Sequence, residues 1–224
     1  MKYKNIHQGV FLSRPNRFIA HCLVDGKEEI CHVKNTGRCK ELLTSNATVW
    51  LEKSGNSNRK TAFDLVCVKK GDLIINMDSQ APNKVFLEWA QNYFGKDAKI
   101  YSERKYKNSR FDFYIEKQYK KIFAEIKGVT LEENGVCLFP DAPTERGVKH
   151  INELICAKKE GYEAHIFFVV QMSGCKYFTP NEKTHPEFKA ALIAARKNGV
   201  NITALECEVS PNELKISGEI PVIL

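Results

Sequence analysis

Two carboxylates and a lysine near the middle of the chain have the types and spacing to hold a cation. They are Asp112, Glu125 and Lys127, within the stretch SRFDFYIEKQYKKIFAEIKG that begins at Ser109. Two runs of alternating apolar and polar residues flank a lysine-rich turn at Gln118 and Tyr119, a pattern that predicts an antiparallel hairpin. A turn centred there sets Asp112 opposite Glu125 and Arg110 opposite Lys127. Facing Cβ atoms in such a pair lie about 4.5–5.5 Å apart, so two carboxylates there destabilise the sheet unless a positive charge lies between them.

Side chains alternate across a strand, which puts Phe123, Glu125 and Lys127 on one face and turns Ile122, Ala124 and Ile126 into a core. A divalent ion with hard oxygen ligands, Mg²⁺ or Mn²⁺ held by Asp112, Glu125 and the Ile126 carbonyl, would relieve the repulsion. Such an ion polarises a phosphate and acidifies a bound water, with Lys127 placed to orient that water or steady developing charge. This is the chemistry of phosphodiester hydrolysis. Arg110, Asp112, Glu125 and Lys127 also read as a surface ladder of two exposed ion pairs, which would contribute little.

The elements around the hairpin must position these groups. A helix predicted from Thr144 to Glu160 carries Val148, Ile151, Leu154 and Ile155 on its apolar side and Arg146, Lys149 and His150 on the other. Three cations near the positive end of a helix can grip a phosphate, or form a plain solvated face. Asp141, just upstream, reads as a turn residue bordering the site. A preceding helix, from Lys84 to Phe94 with Asn83 as N-cap and Val85, Trp89 and Phe94 as its buried stripe, contains Glu88. Strands follow near Lys99 to Arg104, in the hairpin, at Ala164 to Gln171, at Val200 to Glu206 and near Leu214 to Ile216, with a further helix at Pro186 to Asn198. The order αβββαβαβ implies a mixed sheet flanked by helices, with the acidic hairpin inside it.

Before these elements the pattern is nearly all β. Strands are predicted at Gly9 to Leu12, Arg17 to Val24, Glu28 to Lys34, Thr48 to Glu52, Thr61 to Val68 and Leu73 to Asn76, with a helical turn or two at Arg38 to Leu43. That is an OB-like β-barrel, a fold that binds nucleic acid across one face. A polar linker, Asp78 to Lys84, separates a domain at residues 1–80 from one at 81–224. Residues 1–85 hold 14 Lys and Arg against 8 Asp and Glu, which suits contact with a polyanion through Arg17, Lys34 and Arg38. On the first hairpin, a turn at Gly26 and Lys27 places Cys22 opposite Cys31 and His21 opposite His32. The two pairs point to opposite faces and make no zinc site.

The eight cysteines are scattered without CxxC spacing and read as reduced, mostly buried thiols. The longest apolar run, around Ile166 to Val170, is far too short to span a bilayer. With no signal-peptide pattern at the start, the expected location is the cytoplasm.

RFDF at Arg110 to Phe113, EIKGVTL at Glu125 to Leu131 and FPDAPTERGVKH at Phe139 to His150 resemble the sugar fermentation stimulation protein A family across essentially the whole chain. The resemblance implies an OB-like N-terminal domain, a C-terminal domain similar to the PD-(D/E)XK nuclease fold, DNA binding and DNA/RNA nuclease activity. Asp112 then corresponds to that motif's first acid, and Glu125 with Lys127 to its ExK half. A further acid from the first helix would be Glu88, with Glu103 as a competitor. Phe111 stands where the motif's name has proline. A non-enzymatic DNA-binding regulatory protein on the same scaffold is the alternative, since a fold does not establish an activity.

Overall fold

The computed structural model describes residues 1–224 apart from Thr36 and Ser57. Strands β1 (Ile6–Asn16), β2 (Ile19–Val24), β3 (Lys27–Val33), β4 (Thr48–Lys53), β5 (Phe63–Lys70) and β6 (Leu73–Asn76) run in the order β3-β2-β1-β4-β5-β6. A parallel pairing of β3 with β5 closes the first five into an OB-like barrel. The β2–β3 hairpin turns at Asp25 and Gly26, one residue earlier than predicted, so Cys31 faces Ala20 and His32 faces Ile19. Backbone geometry decides this. A two-residue hairpin turn of this kind needs positive φ at both positions, which Asp25 (50°) and Gly26 (77°) supply and a Gly-Lys turn would not.

The helical turn expected at Arg38 to Leu43 is a single one. The amides of Leu42 and Leu43 both donate to the Cys39 carbonyl, making one turn anchored by buried Cys39, Leu42 and Leu43. Cys137 and Cys175 form a disulfide, which corrects the expectation of eight reduced thiols; the other six cysteines are free. Among the described residues no helix is long and apolar enough to cross a membrane.

The second unit begins with α1 (Ala81–Phe94), followed by β7 (Lys99–Tyr106), β8 (Ser109–Lys117), β9 (Lys120–Val129), β10 (Leu131–Glu133), β11 (Val136–Phe139), α2 (Glu145–Lys159), β12 (Glu163–Val170), β13 (Tyr177–Pro180), α3 (Pro186–Lys197), β14 (Asn201–Ser210) and β15 (Glu213–Ile220). Its main sheet has the order β15-β14-β12-β9-β8-β7, with β12 parallel to both β9 and β14. β9 is therefore interior, as the alternation implied. The sheet is covered on both faces. Ile122, Ala124 and Ile126 pack under α1 with Val85 and Phe86, while Phe123 joins the core beneath α2 and α3. A small sheet of β10, β11 and β13 went unpredicted, because strands of three or four residues show too few alternations to read.

The expected linker is a packed junction. Asp78 is fully buried and its carboxylate lies 3.0 Å from Lys34. The Gln171 amide donates to Asn76 O, Asn76 Oδ1 and Asp78 O at 2.9–3.1 Å. Gly128 permits this contact, since a Cβ there would lie 2.5 Å from Gln171 Oε1 and 2.7 Å from Pro82 Cγ. Gly128→Ala should therefore destabilise the protein by about 1–3 kcal/mol, as overpacking does. An unchanged urea midpoint would show that the junction yields freely.

Candidate active site

The β8–β9 hairpin turns at Gln118 and Tyr119 in the predicted register, from Lys117–Lys120 to Phe113–Ala124. There the ladder stops. Beyond it β9 continues alongside β12, pairing Glu125 with Ile166, while β8 stays on β7. The two strands splay, so Asp112 and Glu125 are not ladder partners and neither are Arg110 and Lys127. Asp112 fills the opening. Its Oδ2 accepts from the Ile126 backbone N–H at 2.8 Å, and its Oδ1 accepts from Asn83 Nδ2 at 3.1 Å. Asn83 lies in the first turn of α1, which starts at Ala81 with Pro82 early in its first turn.

Glu125 is 2 % exposed. Lys127 donates to its Oε1 at 2.6 Å, and His150 Nδ1 reaches the same oxygen at 2.5 Å. Its other oxygen, Oε2, is buried with no hydrogen-bond partner. A buried carboxylate oxygen left in that state costs free energy unless something positive or proton-bearing meets it. His150 projects from α2, where Thr144 caps the N-terminus by accepting from the Gly147 amide. The prediction placed His150 on the outer face with Arg146 and Lys149. It is buried, because the covered arc of α2 is wide enough to include it beside Gly147 and Ile151. Arg146 Nε donates to His150 Nε2 at 3.5 Å, which makes Nδ1 the protonated nitrogen facing Glu125.

The two carboxyls are pushed apart electrostatically. Burial, then the neighbouring Glu125 charge, raise Asp112 above the ordinary aspartate value; the bonds from Ile126 and Asn83 offset this only in part. Burial also pushes Glu125 upward. The His150 bond and the Lys127 ammonium outweigh that push and hold the carboxyl below its usual value. Opposed shifts in adjacent carboxyls are the usual setting for divided acid and base roles.

These residues fit a hard cation. Among the described residues no group of three or more His, Cys, Asp or Glu converges as a ligand set. The donors present are instead two carboxylates, one with an unanswered oxygen, which suits an ion that keeps several waters. The exposed-ladder interpretation fails for Glu125 and Lys127, whose pair is buried; Arg110 turns instead to exposed Glu103, 3.3 Å away.

Other predicted residues lie elsewhere. Glu88 points to the chain's amino group, 2.7 Å away, and is largely exposed. Lys34 is engaged with Asp78 at the domain junction. Asp141 lies against the barrel loop, close enough that a Cβ on Gly37 would be 2.7 Å from its Oδ2. Arg17 and Arg38 line a 390 Å³ cavity on the barrel with Arg14 and Lys40, and Arg17 sits over the Phe18 ring at 5.1 Å. Arg146, Lys149 and His150 line a second cavity, of 640 Å³, with Lys105 and Arg110. Asn83, expected to be the N-cap, lies instead inside the first turn of a helix whose N-cap is Gln80, and its bond to Asp112, like the place of Lys105, is not legible in the sequence. The one available signal for Asn83 was its place just after a proline at a helix start.

Comparison with known proteins agrees with this architecture. Residues 80–213 match the family model described as the Sugar fermentation stimulation protein RE domain, and residues 12–77 the SfsA N-terminal OB domain. The chain is 58% identical over 225 residues to a "Sugar fermentation stimulation protein homolog" of Desulfitobacterium hafniense (strain Y51), covering 100% of this chain and 99% of that one. A homolog of the same name from Ruminiclostridium cellulolyticum is 56% identical over 226 residues, covering 100% of both. The solved structure of Pyrococcus furiosus SfsA in complex with Ca²⁺ superposes with a TM-score of 0.89 at 27% identity, covering 100% of this chain and 98% of that one. Two family models spanning most of the chain and full-length relatives at this identity place it together: the chain belongs to the sugar fermentation stimulation protein family.

Proposed function

We propose that this protein is a nuclease that hydrolyses phosphodiester bonds of DNA or RNA with a hard divalent ion, Mg²⁺ or Mn²⁺. The observation that carries the reading is the buried, unpartnered Oε2 of Glu125 beside Asp112. When bound there by Asp112, Glu125 and the Ile126 carbonyl, the ion would polarise the scissile phosphate and supply an activated water. The Pyrococcus furiosus relative is described in complex with Ca²⁺, an oxygen-seeking dication, and that similarity supports a hard ion here.

The chain's own groups do the positioning. Ile126 N–H and Asn83 fix Asp112, and His150 fixes Glu125. Lys127 neutralises Glu125 at rest and is within reach to orient the attacking water once a cation takes over that charge. Arg146 and Lys149 face phosphate oxygens, and the barrel cavity with Arg17 and Arg38 holds the strand farther along.

Purified protein incubated with end-labelled single- and double-stranded DNA and RNA should yield products with Mg²⁺ or Mn²⁺ and none with EDTA. Lys127→Ala should lower the rate about 10²–10⁴-fold. The internal Lys127–Glu125 pair favours one rival, a non-enzymatic nucleic-acid-binding protein whose acidic site is balanced without metal. That rival predicts salt-sensitive binding and no products under any condition.

A further inference from the structure

The 640 Å³ cavity opens between the β7–β8 turn and the first turns of α2, beside His150. That volume suits a nucleotide-sized ligand better than a lone ion. Among the described residues no acidic one lines it. One feature of its wall calls for an anion. Lys105 and Arg110 are direct partners in the antiparallel β7–β8 ladder, and like charges so placed weaken a strand pair unless an opposite charge lies between them. Among the described residues Lys105 makes no ion pair, and Arg110 has only exposed Glu103.

We infer that this cavity is a second phosphate subsite, which takes a phosphate of the nucleic-acid strand adjoining the one at Asp112 and Glu125. Lys105, Arg110 and Lys149 supply the charge. Lys149 is available for this, since it donates to Asn108 O at 3.3 Å and approaches Glu153 only to 4.0 Å. Lys107, also at the rim, is tied to Glu160 and contributes less. The inference rests on the nuclease reading for the identity of the polymer. The phosphate itself can be an internal diester or a terminal monoester.

The test is binding of 3′-fluorescein single-stranded DNA and RNA oligonucleotides, each with a 5′-phosphate or a 5′-hydroxyl, followed by anisotropy in EDTA so that nothing is cleaved. The double variant Lys105→Ala/Arg110→Ala should bind about tenfold more weakly and shed about 1–2 from the slope of log affinity against log salt. Its melting temperature should not fall, because two facing cations have been removed. Lys149→Ala should lose about tenfold in affinity, the worth of one charge-assisted contact. A 5′-phosphate preference that vanishes in the double variant assigns the terminal monoester; equal losses on both ends assign the internal diester.

Wild-type protein that binds none of the oligonucleotides overturns the inference, as do variants with unchanged affinity and slope. If those unchanged variants accompany a wild type that cleaves, the nuclease reading survives alone. If the variants lose binding while the wild type never cleaves, the phosphate subsite stands and the nuclease reading falls.

Discussion

Asp112→Asn should abolish metal-dependent cleavage, by about 10²–10⁴-fold, while making the metal-free protein more stable. The first effect follows from losing the carboxylate charge that a cation needs. The second follows from burial. Asp112 accepts two hydrogen bonds but sits beside a second carboxylate in a poorly solvated cleft. Asparagine keeps both bonds, since its oxygen can accept from Ile126 N–H and its amide can donate to Asn83 after that side chain turns over.

The sign of the pH dependence is fixed by the direction of the shift. The folded Asp112 holds its proton to higher pH than the unfolded chain, whose value is near 3.8, so the folded state binds more protons in that window. Stability is therefore lost as pH rises from the unfolded value through the raised folded one, and the loss is complete above it. Glu125, shifted down, works oppositely: its contribution is present above about 4.5 and disappears as pH falls through its lowered folded value. The Asn variant lacks only the first limb. Its advantage over wild type should grow as pH rises through the raised folded value of Asp112 and then level off, at about 2–4 °C in melting temperature for each ~1 kcal/mol. Mn²⁺ should raise the melting temperature of the wild type and not of the variant. A variant that cleaves normally, or that is less stable than wild type at neutral pH, would remove Asp112 from the proposed site.

His150→Ala carries the largest expected stability loss, about 3–5 kcal/mol, because it leaves the charge of a nearly buried Glu125 short of one of its two donors. Cleavage by the folded remainder should fall about 10–100-fold, the usual effect of loosening a group that orients a metal-binding carboxylate. His150→Asn separates the two roles of the ring. Its Nδ2 can occupy the place of Nδ1 and donate to Glu125, so it should recover much of both stability and rate while losing the contact with Arg146. Equal damage in the Ala and Asn variants would make His150 a packing residue; no damage in either would show that Lys127 alone positions Glu125.

The contrast between these residues shows which parts of the site a sequence can carry. Asp112, Glu125 and Lys127 were legible because they belong to one hairpin. Period-two alternation and a two-residue turn set its register locally, and the turn at Gln118 and Tyr119 formed where that alternation placed it. The place where the ladder opens was not legible. β8 is drawn to β7 while β9 is held by β12 from the far side, and that competition turns Asp112 from a cross-strand neighbour of Glu125 into an acceptor for Ile126.

The same limit explains the errors. His150 was assigned outward because its helix was read against a narrow apolar stripe, whereas the sheet and α3 cover a broader arc of α2. Glu88 looked eligible by sitting in the right helix, yet Asn83, one turn earlier, is the residue that α1 brings to Asp112. The stretch at Asp78 that reads as a linker is instead packed against Gln171, 93 residues away.

By itself, then, the sequence determined the barrel followed by a helix-flanked sheet, the hairpin register and the acidic pair with its lysine. These are set by alternation, turn chemistry and charges a few residues apart. Only the tertiary structure decided which donors meet each carboxylate, which oxygen of Glu125 stays unanswered and that Lys105 and Arg110 stand side by side in the wall of a cavity. Those outcomes depend on packing between elements far apart in the chain, where the burial of one side chain is set by a neighbour that no local pattern names.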